Sequence, residues 1–165
     1  MGDKKAYRAA IVGTGRPRGQ EGSTGAAISQ FHVRGYVSNG CEVVALADIR
    51  PENAEAFRAE HSVPDARIFS DYKEMLREAK PDIVSICTWP HLHADMVVAC
   101  AEAGIRAVHC EKPMAPTFGE ARRMRASAPE RSSPSTTSGA SRSRTTPTPR
   151  TPPSRPMRSR EPLAC

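Results

Sequence analysis

Five short apolar runs, each followed by a stretch with helical spacing, occupy most of this chain and leave few folds open to it. The runs are 8–12, 42–47, 67–69, 83–87 and 105–110. Runs this short and this continuously apolar fit strands buried on both faces, which occur in parallel sheets whose crossover connections are helices. The intervening stretches supply those helices. The first is expected to begin at Ser23 or Thr24, either of which can cap it, and to pass through Ile28, Phe31 and Val33 to Ser38, where Asn39-Gly40 stops it. Pro51 opens a second that ends near His61, and Asp71 caps a third that carries Tyr72, Met75 and Leu76 and stops before Pro81. A fourth runs from about His91 to Ala103 and ends at Gly104, and a last helical stretch covers 119–125. The expected class is α/β, a doubly wound parallel sheet.

Composition divides the chain at residue 125. Residues 1–125 are near-neutral, with 17 Lys+Arg against 16 Asp+Glu, and read as one ordinary globular domain. Residues 126–165 hold 7 Arg, 2 Glu and 8 of the 15 prolines, with no Val, Ile, Phe, Tyr or Trp. Such a stretch buries too little apolar surface to offset its ordering entropy, so a disordered basic tail is expected. The net charge of +6 comes almost wholly from it. The cysteines at 41, 87, 100, 110 and 165 form no C-x-x-C pair and no metal spacing with a histidine, so reduced thiols and no metal are expected. Neither a signal-type leader nor an apolar run of bilayer length is present, which implies a cytoplasmic chain without a membrane partner.

Chemistry enters at Gly13-Thr14-Gly15, directly between the first strand and the first helix, where a dinucleotide's pyrophosphate needs close backbone approach and a free helix N-terminus. A glycine-rich surface turn is the plainer reading of this loop alone. The third glycine of the usual fingerprint is displaced, and Gly19, Gly22 or Gly25 fills its role. Asp48 ends the second run, where a carboxylate accepts from adenosine ribose hydroxyls; its plainer role is to cap the helix that Pro51 opens. Arg50 fits either a 2′-phosphate or stacking on adenine, so NAD is expected with NADP open. Arg16 and Arg18 are candidates for phosphate contacts.

Three segments together resemble the Gfo/Idh/MocA oxidoreductases. They are Ile11-Val12-Gly13-Thr14-Gly15, Val43-Val44-Ala45-Leu46-Ala47-Asp48, and Asp82-Ile83-Val84-Ser85-Ile86-Cys87-Thr88 continuing to Pro90, His93 and Glu111-Lys112-Pro113. The resemblance covers roughly the first 120 residues and implies a Rossmann-type nucleotide-binding domain of strand order 3-2-1-4-5-6. It makes Lys112 the catalytic candidate, a cation able to stabilise a developing alkoxide or pass a proton while hydride leaves for the cofactor. It implies that Glu111 and Pro113 position the cofactor, the proline shaping a turn that is cis in some members. Thr88, Trp89 and Pro90 would line the nicotinamide side, and His91 or His93 would approach cofactor or substrate or serve the structure. His32, His61 and His109 are read as structural.

Members of that family are about twice as long, with an α/β substrate domain that also carries the oligomer interface. The expected partners are a nicotinamide dinucleotide and, for the full-length form, a small sugar-like or polyol hydroxy substrate and a second copy of the chain. Read one nucleotide earlier, the codons of Arg125-Ala126-Ser127-Ala128-Pro129 permit Cys-Glu-Arg-Ala-Gly, and those of 133–141 permit a string resembling the family's sixth strand. A shifted reading frame, in the gene or in its sequencing, that truncates and inactivates the enzyme is therefore expected, with a genuine basic disordered tail, or chance agreement of the codons, as the plainer alternatives. Two other readings are a non-catalytic NAD(P)-binding module and nucleic-acid binding through the basic tail, which lacks interleaved aromatics.

Overall fold

The computed structural model describes residues 6–16 and 28–128. Its elements are β1 (Arg8–Val12), α1 (Ser29–Ser38), β2 (Glu42–Ala47), α2 (Pro51–Glu60), β3 (Arg67–Phe69), α3 (Tyr72–Ala79), β4 (Ile83–Ile86), α4 (Pro90–Glu102), β5 (Ala107–Cys110) and α5 (Phe118–Ser127). The strands form one parallel sheet in the order β3-β2-β1-β4-β5. The order reverses at β1, so the crevice of a doubly wound sheet opens at the carboxyl ends of β1, β2 and β4. No sixth strand occurs among the described residues, and β5 pairs there on one side only.

Alternation along the strands sends side chains to two cores. Ala10, Val12, Val44, Val84 and Ile86 pack with Met75 and Leu76 of α3 and Met96 and Cys100 of α4. On the opposite face Ile11, Val43 and Leu46 meet Val33 of α1 and Ala54 and Phe57 of α2. Helices on both faces are what the continuously apolar runs require. Leu46 and Met75 are fully buried, and truncating either to alanine is expected to cost about 2–5 kcal/mol.

Several ends differ from the sequence expectation. Helix α1 starts at Ser29; the expected caps Ser23 and Thr24, like Gly25, lie outside the described residues. Ser29 is anchored instead, its hydroxyl donating to the Thr14 carbonyl at 2.9 Å. Strand β4 ends one residue early, at Ile86, because Cys87 enters the turn after donating its N–H to the Val12 carbonyl. Strand β5 begins at Ala107 and not at Ile105, because Ile105 belongs to the end of α4. Its N–H returns to the Cys100 carbonyl while that of Gly104, at φ 72°, returns to Ala101, a Schellman closure that buries Ile105 against the core. The expected Asp71 cap is present, its carboxylate accepting from the Lys73 N–H at 2.8 Å. Helix α5 runs to Ser127, two residues past the composition break, and a capping box of Thr117 and Glu120 starts it. No described helix is long and apolar enough to cross a membrane.

Candidate cofactor site

The Gly13 N–H donates to the Ala47 carbonyl at 2.8 Å, which carries the chain off β1 and over the end of β2. Gly13 has φ 85°, and a Cβ there would stand 2.9 Å from both the Cys87 carbonyl oxygen and Thr88 Cγ2. Only glycine fits, on steric and backbone grounds alike. Gly15 also has a positive φ, 75°, and is exposed. This bare backbone and Asp48 border one cleft of about 550 Å³, together with Arg16, Arg50, Thr88 and Trp89. That volume lies within the range of small-ligand and cofactor sites.

Asp48 is the electrostatic centre of this end. Its Oδ2 accepts from the Thr14 N–H at 3.0 Å, the Thr14 hydroxyl at 2.9 Å and the Gly15 N–H at 3.2 Å. Its Oδ1 accepts from the Arg50 N–H at 3.0 Å and the Asn53 amide at 3.4 Å. One carboxylate thus clamps the glycine loop and organises the start of α2 while still reaching the cleft. Of the two roles weighed from sequence, the helix cap is not realised: Arg50 is the N-cap of α2 and no side chain caps it, and Asp48 instead braces the turn before the helix.

The other end is built differently. Lys112 is exposed at the end of β5, the Lys112–Pro113 bond is cis, and the Lys112 N–H donates to Glu111 Oε2 at 3.3 Å. Lys112, Glu111 and Pro113 do not line the cleft, and neither do Pro90 and His93. His93 is fully buried, its Nδ1 3.0 Å from the Pro113 carbonyl oxygen and its Nε2 3.1 Å from that of Thr88. It ties the turns after β4 and β5 together from beneath. Pro90 opens α4 as its first residue, behind the exposed Trp89.

Sequence reasoning passed over the residues that support Glu111. Glu111 Oε1 lies 2.8 Å from His32 Nε2, His32 Nδ1 lies 2.8 Å from Ser85 Oγ, and that hydroxyl lies 2.6 Å from the Tyr36 hydroxyl. Burial works to raise the Glu111 pKa, but the His32 hydrogen bond, the Lys112 N–H and the nearby His32 and His109 rings outweigh it, holding the carboxyl below its usual range. Burial and the Glu111 charge push the Cys87 thiol up to about 12, so it stays protonated at neutral pH. Two signals were present in the sequence. Ser85 is the one polar residue within the apolar run 83–87, and His32 and Tyr36 are four residues apart, on one helix face.

A switch-point crevice, a positive-φ glycine loop and a strand-end carboxylate define a nucleotide-binding domain of Rossmann type. The family model for Gfo/Idh/MocA proteins, described as an oxidoreductase family with NAD-binding Rossmann fold, matches residues 7–137, and the chain belongs to that family. It is 38% identical over 116 residues to an inositol 2-dehydrogenase of Paracoccus denitrificans, a match covering 69% of this chain and 31% of that protein. It is 33% identical over 118 residues to a D-glucoside 3-dehydrogenase of Escherichia coli, covering 71% and 30%. Among solved structures, the WlbA dehydrogenase from Bordetella pertussis in complex with NADH and UDP-GlcNAcA superposes with TM-score 0.61 at 30% identity, over 74% of this chain and 33% of that one. The chain spans about a third of the length of these relatives.

Proposed function

We propose that this chain is the cofactor-binding part of an oxidoreductase that moves hydride between NAD and a hydroxyl-bearing sugar or polyol. The observation that carries this reading is the Asp48 carboxylate, fixed by the glycine loop at the mouth of the cleft. The residues fit the group. Gly13 and Gly15 line the cleft where a pyrophosphate would lie against bare backbone, and an anion at the end of β2 suits two ribose hydroxyls but opposes a 2′-phosphate, which favours NAD over NADP. A bound nicotinamide would accept or return the hydride. Thr88 and Trp89 hold its side of the cleft with Pro90 starting α4 behind them, Glu111 and Pro113 shape the turn, and His93 keeps the turns after β4 and β5 in register. Lys112 stabilises alkoxide charge at the substrate hydroxyl. The matching relatives, dehydrogenases of inositol and of a glucoside, support the substrate class.

Calorimetric titration of the 165-residue chain with NAD and NADP tests this, with saturable binding and a preference for NAD as the expected result. Absence of binding to either would overturn the reading. Binding without turnover of inositol or a glucoside is expected of this chain alone, because the described residues build only the cofactor side. We further propose that residues 126–165 are read in a shifted frame, a reading supported by their loss of apolar residues. The nucleotide sequence around codon 125 decides it.

A further inference from the structure

His32, His109 and Glu111 come from α1, β5 and the turn after β5, and each directs one ligand-type atom to the same place, all within 4.8 Å of one another. The His32 and His109 ring centroids are 4.3 Å apart at an interplanar angle of 42°. Two imidazoles that share one tetrahedral ion at about 2.0–2.1 Å have ring centres roughly 5 Å apart, so these rings need to open by only about 1 Å to hold one. The side chains of His32 and Glu111 are 6% and 15% exposed, whereas His109 is open to solvent. The cluster is therefore closed at the back by the sheet and accessible from the side of His109.

The hydroxyl pair behind His32 matters as much as the three donors. Ligating histidines engage their second nitrogen in a hydrogen bond that fixes the ring, and His32 Nδ1 does so with Ser85, itself held by Tyr36. Both hydroxyls can donate or accept, so they support either tautomer of His32. With the proton on Nε2, His32 donates to Glu111, and Tyr36 donates to Ser85, which donates to Nδ1. With the proton on Nδ1 the relay reverses, and the Nε2 lone pair faces the Glu111 carboxylate. Two electron-rich atoms 2.8 Å apart repel one another unless a cation joins them.

We propose that His32, His109 and Glu111 form a binding site for a divalent transition cation of the zinc kind, with two imidazole nitrogens, one carboxylate oxygen and the remaining position open to water. His109 and Glu111 are neighbours but one in sequence, while His32 lies 79 positions before Glu111, so the set becomes visible only in the folded chain. None of the three residues lines the cleft at Asp48, although Glu111 also shapes the turn of the cofactor reading, so the two readings are tested by separate ligands.

The test is a titration of the untagged 165-residue chain with Co²⁺ followed by visible absorption, with Zn²⁺ as competitor. One ion per chain is expected, without a sulfur-to-metal charge-transfer band. H109A alters an exposed side chain and should weaken Co²⁺ binding by roughly 100-fold or more, beyond the about 10–100-fold that outer-shell losses cost. Y36F should weaken it about 10-fold. Nitrogen-15 spectra of the unsubstituted chain should show the His32 ring proton moving from Nε2 to Nδ1 as Zn²⁺ binds. No saturable binding, undiminished binding in H109A, an unmoved ring proton, or a thiolate band assigning the ion to cysteines would each overturn the site. NAD titration of the same samples reports separately on the cofactor reading.

Discussion

Two carboxylates anchor opposite halves of the sheet's functional edge, and they are held in contrasting ways. Asp48, between β2 and α2, accepts mainly from backbone N–H groups of the loop after β1 and the start of α2. Glu111, after β5, is held chiefly by the imidazole of His32, 79 positions away on α1. Backbone donors come with the loop itself and tolerate side-chain change. A side-chain relay depends on each of its members and responds to their protonation. The Asp48 half should therefore fail through backbone geometry, and the Glu111 half through single side chains and pH.

The sharpest break is expected at Gly13. Gly13→Ala places a Cβ against the Cys87 carbonyl at a left-handed φ, a strain of about 1–2 kcal/mol before the overlap is counted. Urea denaturation should show a loss of at least about 2 kcal/mol, and NAD titration a loss of binding. A variant of undiminished stability would mean that the loop is not locked to β4.

Asp48→Ala comes next. It removes a charged acceptor, and hydrogen bonds to charged groups contribute about 1.5–3 kcal/mol, so NAD affinity should fall roughly 10–100-fold. Because the same carboxylate clamps Thr14 and Gly15, stability should fall too, and Asp48→Asn, which keeps an acceptor, separates the effects. An Asn variant that folds like the parent and binds NAD equally well would remove the carboxylate from ribose recognition.

A pH series then addresses the other half. The Glu111 carboxyl is held below its usual range in the folded chain, so its contribution is present above the unfolded carboxylate pKa and is lost as pH falls through the folded value. Chemical denaturation across the acid range should therefore show a steeper acid loss in the parent than in Glu111→Gln. Matching acid limbs would dissolve the contrast between the halves. The smallest effect is expected from Arg50→Ala. Its exposed side chain should matter for NADP more than for NAD, and an unmoved ratio of the two affinities would leave Arg50 without a phosphate role.

The Asp48 half was legible in sequence because its parts are local: a glycine loop after one strand, an acid at the end of the next, and a crossover helix between them. The E-K-P turn was legible as a family pattern, but what holds it was not. His93 illustrates the gap, since a histidine at a helix start is equally compatible with cofactor contact and with burial. Its two carbonyl partners, on the turns after β4 and β5, meet only after those strands have paired. The helix start at Ser29 and the assignment of Ile105 to the end of α4 were hidden for a similar reason, since each is set by a hydrogen bond formed in the folded chain.

What the sequence determined by itself was the alternation of buried strands and covering helices, and with it the parallel sheet and the crevice at its switch point, because apolar periodicity and turn residues act over a few neighbouring positions. Only the tertiary structure decided that His32, Ser85 and Tyr36 stand behind Glu111, and that His109 joins them. Those contacts exist because β4 pairs in register with β5, setting Ser85 beside His109, and because α1 lies across that face of the sheet. A polar side chain within an apolar strand signals that it needs a partner, and packing alone selects which one.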